Sequence, residues 1–233
     1  MNALEDLEVT LVARTALYRT MHRVMGSEPT EEIVDTLISE AFTNVCHLFL
    51  PLSSDLEKSF EGIRACTSRL AEENDMTAYL NGIYYSLFMG PGKMYAPPWE
   101  TLYVSKEHAL FQKTTLALRK SYVAHGFIPQ SYPHVADDHV GLELHFVSLL
   151  AQNMVDAYRS GDYPALTSLA KASGDFLGEH LTRWLPPFLT ALNEAPDASL
   201  YRECMTYLHA FIDIDRRLLS NVHSHYKTVE ALR

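Results

Sequence analysis

The sequence predicts an all-α protein, a helical bundle of about ten helices with a larger N-terminal part and a smaller C-terminal part joined by a hinge. Three observations carry this. Apolar residues recur at three, four and seven between almost every pair of Pro or Gly marks. No alternating Val, Ile or Thr run stands between Asn-Gly or Asp-Gly turns, as strands would require. And no internal repeat or low-complexity stretch breaks the pattern.

Taken in order, Leu4, Leu7, Leu11, Tyr18, Met21 and Met25 mark a first helix that Gly26 can end. Thr30 is placed to cap a second, with Glu31 and Glu32 at its positive end and Ile33, Leu37, Ala41, Val45 and Leu48 inward, closed by Pro51. Ser54 and Glu57 have capping-box spacing and open a third, with Leu56, Phe60, Ile63, Thr67 and Leu70 on its buried face. Asp75 can cap a fourth through Met76, Leu80, Ile83 and Leu87, ended by Gly90, Pro91 and Gly92. A helix is expected from Ser105 to about His125, stopped by Gly126 and Pro129. Residues 129–134 are rich in Pro and Tyr and aperiodic, so the hinge is placed there, dividing 1–130 from 131–233. Asp137 or Asp138 is expected to cap the next helix, whose stripe is Leu142, Phe146, Leu149, Leu150, Met154 and Ala157, ending at Gly161. Asp162 and Pro164 open another through Leu166 and Phe176 to Trp184, broken by Pro186 and Pro187. Pro196 and Asp197 precede the last, through Met205, Leu208, Ile212 and Leu219.

Composition excludes more than it identifies. A chain of 233 residues, 47% hydrophobic and 21% charged, can bury a sizeable core without a disulfide or metal staple. Nineteen Lys and Arg against 29 Asp and Glu leave a formal charge of −10, which argues against a phosphate backbone as partner. The acidic balance suits a basic ligand instead, such as a peptide carrying arginines. The first 25 residues lack a basic region followed by an uninterrupted apolar one, and no apolar run reaches membrane-helix length. A cytoplasmic location without stable membrane insertion is therefore expected. Cys46, Cys66 and Cys204, odd in number and in apolar surroundings, fit reduced core thiols.

Two stretches can carry chemistry. The block 84–103 gathers Tyr84, Tyr85, Phe88, Tyr95 and Trp99 around three prolines and two glycines, where an ordinary helix connection is short and polar. Such a rigid aromatic turn either plugs its own core or offers an apolar platform to a peptide. Gly90-Pro-Gly-Lys93 lacks phosphate-loop spacing. The block 133–145 holds His134, His139, His145, Asp137, Asp138 and Glu143. His139 and Glu143 share a helix face at i, i+4, so a metal-dependent hydrolase built on that pair is the enzyme alternative, although His-Glu-x-x-His is absent. The same residues also read as helix capping and an intrahelical contact, or as polar walls of a groove in which Asp138 and His139 receive an arginine or backbone amides. No Gly-x-Ser-x-Gly motif is present, and His223 and His225 read as a solvated helix end.

Together these blocks resemble the TorD/DmsD family of redox-enzyme maturation chaperones. The resemblance lies in Tyr85-Ser-Leu-Phe-Met-Gly-Pro-Gly, Ala96-Pro-Pro-Trp-Glu-Thr-Leu-Tyr103, Asp138-His139-Val-Gly-Leu-Glu-Leu, and Phe176-Leu-Gly-Glu-His-Leu-Thr-Arg-Trp-Leu-Pro-Pro-Phe188 followed by Tyr201, in that order. One departure is Ala136, where the family often has proline before the Asp-His pair. The resemblance implies a non-enzymatic cytoplasmic chaperone with no cofactor or metal of its own. Its partners would be the twin-arginine signal peptide and the body of a molybdopterin oxidoreductase of the dimethyl-sulfoxide or trimethylamine-N-oxide reductase type, held until cofactor insertion is complete. Tyr84, Leu87, Phe88, Trp99 and Tyr103 are then expected to form the apolar platform, with Glu100, Asp137, Asp138 and His139 facing the arginines. A monomer or a dimer exchanging C-terminal parts is the expected assembly.

Overall fold

Eleven α-helices and no strand make up the regular structure among the described residues of the computed structural model, which are 7–90, 92–105, 113–129 and 136–231. The first is α1 (Leu7–Gly26), with Leu11, Leu17, Tyr18, Met21 and Met25 buried on one face; Leu4 lies outside the described residues. The single helix expected from Thr30 to Pro51 is two, α2 (Glu31–Ile38) and α3 (Glu40–Phe49). Ser39 takes an extended conformation between them, and its hydroxyl accepts from the Phe42 N–H at 3.1 Å, so a capping residue inside the apolar stripe resets the axis. A 3₁₀ turn, Leu50–Leu52, holds Pro51 and leads into α4 (Ser54–Leu70). Its cap is Ser53 rather than Ser54: the Ser53 hydroxyl accepts from the Asp55 N–H.

Asp75 caps α5 (Met76–Tyr84) as expected, accepting from the Ala78 N–H at 2.9 Å. The chain then widens into a π turn, Tyr85–Met89, stopped by Gly90 at φ 57°, a left-handed conformation open to glycine. The short α6 (Thr101–Val104) closes the aromatic block. Of the helix expected from Ser105, α7 (Lys113–Ala124) is described, while 106–112 lie outside the described residues, as do the hinge residues 130–135 with Pro133 and His134. Next come α8 (Val140–Ser160), ended by Gly161 at φ 72°, and α9 (Tyr163–Glu179), capped by Asp162. The expected run to Trp184 breaks earlier, at His180, and Pro186 and Pro187 sit inside α10 (Leu181–Glu194). These prolines are tolerated because the helix is held by its face: Trp184, Leu185, Phe188 and Leu192 are fully buried. Asp197 precedes α11 (Ser199–Ala231) in a left-handed conformation, φ 55°.

Helix α8 lies between α1 and α9, and α11 packs against α9, α4 and α10. One hydrophobic core runs from Leu11 to Val222. Arg14 on α1 reaches across it to Asp215 on α11, with Nε 2.7 Å and 2.9 Å from the two carboxylate oxygens. Tyr18 donates to the same carboxylate at 2.8 Å, and Arg14 also reaches Ser173 on α9, so one satisfied buried network ties three helices together. No single helix among the described residues is long and apolar enough to cross a membrane.

Candidate functional site

The motif blocks at 84–103, 138–144 and 176–188 converge on one place, a buried acidic seam joining the aromatic block to the start of α8. The strands of the seam are 98–101 and 138–140. The Glu100 N–H donates to the Asp138 carbonyl at 3.0 Å and the Val140 N–H to the Pro98 carbonyl at 2.9 Å, forming an isolated bridge between Trp99 and His139. Asp138 is fully buried and caps α6 from a distance: one carboxylate oxygen accepts from both the Thr101 N–H, at 2.9 Å, and the Thr101 hydroxyl. Capping by Asp138 thus occurs, but on α6 and not on α8.

The cap of α8 is His139. Its Nδ1 accepts from the Gly141 N–H at 3.0 Å, which requires that nitrogen to be unprotonated. Burial, helped by His22, pushes the imidazole down to about 4, so it is neutral at physiological pH. Asp137 is buried with its carboxylate 2.6 Å from Arg119 Nε on α7, and its carbonyl accepts from the Tyr122 hydroxyl at 2.9 Å. Glu100, fully buried, lies 2.9 Å from His180 Nδ1 at the α9–α10 break. An ionised carboxylate only accepts, so Nδ1 carries the hydrogen there. Glu143, also fully buried, accepts from the Trp184 indole N–H at 3.2 Å. Burial raises its carboxyl well above the ordinary range, and the charges of Glu100 and Asp138 add to that, while the Trp184 bond opposes it.

The aromatic residues knit the same blocks. Tyr103 stacks on Trp184 with centroids 5.6 Å apart, Phe88 meets Tyr201 at 5.1 Å and Tyr84 at 5.3 Å, and Trp99 stands edge-on to His139 at 5.4 Å. Tyr84, Leu87 and Phe88 are core side chains here, so these three act on a surface ligand only through what they support. Trp99, Tyr103 and His139 are half-buried and line the seam's outer side. Trp99 Nε1 and the Tyr103 hydroxyl are buried without a partner, as are one oxygen each of Glu100, Asp138 and Glu143. Such groups cost free energy unless something meets them, and their gathering in one region distinguishes it from the rest of the core.

The pair expected to serve a hydrolase is not assembled as ligands. His139 Nδ1 is taken by Gly141 and one Glu143 oxygen by Trp184, and no group of three His, Cys, Asp or Glu suited to a metal occurs among the described residues. Sequence reasoning did not single out Thr101, Arg119, Tyr122, His180 or Trp184 as site residues. His180 and Trp184 were visible only as letters of the block ending at Phe188, and Arg119 and Tyr122 gave no signal. Exposed Tyr85, Met89 and Tyr95 add an apolar outer patch to the aromatic block.

This combination of an all-α bundle and an aromatic-walled acidic seam has counterparts among known proteins. The family model described as nitrate reductase delta subunit matches residues 51–190. Among relatives, the Probable Tat proofreading chaperone DmsD of Haemophilus influenzae is 30% identical over 119 residues, 51% of each chain. The Chaperone protein TorD of Photobacterium profundum is 23% identical over 207 residues, 88% of this chain and 94% of the relative. That of Vibrio cholerae is 25% identical over 72% of this chain and 74% of its own. The chain belongs to the nitrate reductase delta subunit family, with the TorD/DmsD chaperones within it.

Proposed function

We propose that this chain is a cytoplasmic chaperone that binds the twin-arginine signal peptide of a molybdenum-cofactor oxidoreductase and holds the precursor until its cofactor is in place, acting by binding and without catalysis. One observation supports this reading above the rest: the motif blocks of the resemblance, dispersed over a hundred residues, meet at a single seam. The relatives' names point the same way, since they are proofreading chaperones for the twin-arginine route. Trp99 and Tyr103 offer half-buried rings and unpartnered donors to a peptide carbonyl, and Tyr85, Met89 and Tyr95 extend the apolar contact outward. Desolvated Glu100 and Asp138 attract a guanidinium more strongly than exposed carboxylates would, because little water screens them. The proposal includes the division at 130/131 and a monomer, or a dimer exchanging the parts 131–233, which light scattering over a range of concentrations distinguishes.

Calorimetry with a twin-arginine leader peptide tests the reading. A saturable isotherm is expected, weakened at least tenfold by Trp99→Ala with helical content unchanged, and weakened again when the leader's arginines become glutamines. Heat-free titration with the leaders of every molybdopterin oxidoreductase of the source cell overturns it.

A further inference from the structure

We propose that Glu143 and Glu100 share a single proton, so that a carboxylic acid on α8 donates to a carboxylate at the start of α6 and the pair forms a proton-dependent clasp between those helices. The geometry leads there by accounting for each oxygen. One Glu143 oxygen accepts from Trp184 Nε1, which can only donate, and one Glu100 oxygen accepts from His180 Nδ1. The remaining oxygen of each residue is buried and has no partner. Two ionised carboxylates would leave both oxygens as acceptors facing nothing, with like charges in a desolvated region. A single proton on Glu143 converts its free oxygen into a donor and satisfies both at once.

The surroundings decide which residue keeps the proton. Glu100 is the charge that bears most on Glu143, with Asp138 next, and the Trp184 bond only partly offsets them. From α6 the pair is faced by Tyr103, and from α7 by Tyr122, whose hydroxyl serves the Asp137 carbonyl. Arg119, also on α7, is committed to Asp137. At the entry to α8 stand Asp137, Asp138 and neutral His139; from the α9–α10 break comes His180, and from α10 Trp184. Glu100 has His180 as a charge-supporting donor and Asp138 has two donors on one oxygen. Glu143 has one indole N–H, so it is the weakest-supported anion of the three and the one that takes the proton from solvent on folding. Once ionised at higher pH, it would set two like charges against the seam, and the contact of 98–101 with 138–140 would loosen first.

Difference infrared spectroscopy on the full chain near neutral pH tests this. The carbonyl stretch of a protonated carboxyl is expected in the wild type, absent in Glu143→Gln, and shifted or weakened in Glu100→Gln, where the amide replaces the shared proton. From about pH 7 to about pH 9 the wild-type folding constant should fall about tenfold per pH unit relative to Glu143→Gln until Glu143 ionises, because a carboxyl raised on folding loses its contribution as pH rises. Absence of the band in the wild type overturns the proposal, as does a band untouched by both substitutions or parallel pH profiles. Should Glu143→Gln not fold, the infrared comparison with Glu100→Gln decides alone.

Discussion

At the level of single residues, Asp138 shows how a motif position can hold its surroundings in place. Its side chain is the acceptor for two Thr101 donors, and Thr101 is itself fully buried. Asp138→Ala leaves both donors unpaired, so a loss of about 2–3 kcal/mol is expected, against about 1 kcal/mol for Asp138→Asn, which keeps one acceptor. Chemical denaturation of the two variants measures this. It also controls any peptide-binding result, since weaker binding by Asp138→Ala without loss of stability would point to direct contact. The pairing was not legible in the sequence, because 37 residues separate Asp138 from Thr101 and no periodicity reports a cap supplied across the fold. The cysteines were legible: Cys46, Cys66 and Cys204 are all buried, and burial pushes the Cys46 thiol up to about 12. Ellman's reagent should find none of the three reactive in the native protein and all three after denaturation.

Among the elements, helix existence followed from apolar spacing while helix ends followed from local capping chemistry that spacing does not contain. The stripe through Ile33, Leu37, Ala41 and Val45 is continuous as a pattern, yet Ser39 divides it by capping α3. Pro186 and Pro187 looked like a stop, but the stop is His180, and the buried face of α10 carries the prolines through. The crossing of α1 and α8 rests on a feature noticed in sequence only as a small residue that lets another helix approach. A Cβ on Gly141 would lie 2.5 Å from the Gly26 Cα, a backbone atom that cannot rotate away. Gly141→Ala is therefore expected to destabilise by about 1–3 kcal/mol despite alanine's better helix propensity. Gly82, within α5, has nothing near its missing Cβ, and Gly82→Ala should stabilise by about 0.5–1 kcal/mol. Thermal melts of the two variants should move in opposite directions.

For the molecule as a whole, the buried titratable groups confine stability to a window of pH. On the acid side stand three histidines at the α1–α8 crossing. His22 and His145 stack with centroids 4.4 Å apart, His22 Nδ1 lies 2.8 Å from the Gly141 carbonyl, and His139 caps α8. Burial lowers all three, with His22 acting on His139, His145 on His22, and Arg19 on His145. A histidine lowered on folding contributes stability that is complete above its unfolded value, near 6.5, and is lost as pH falls towards the folded value. Below about pH 6.5 each can remove up to about 1.4 kcal/mol per pH unit, and protonated His139 can no longer accept from Gly141. On the alkaline side burial raises Cys46, Cys204, Tyr18 and Tyr122, whose contributions fade as pH rises past the ordinary thiol and phenol values. The melting temperature should therefore fall on both flanks of a plateau, with the acid flank tied to the α1–α8 crossing. His139→Asn keeps a capping acceptor but removes a titrating group, so it should lower the acid slope by about one proton's worth while leaving the plateau nearly unchanged. An acid slope unaltered by that substitution would mean that the crossing unfolds for another reason and that His139 is not what senses pH there.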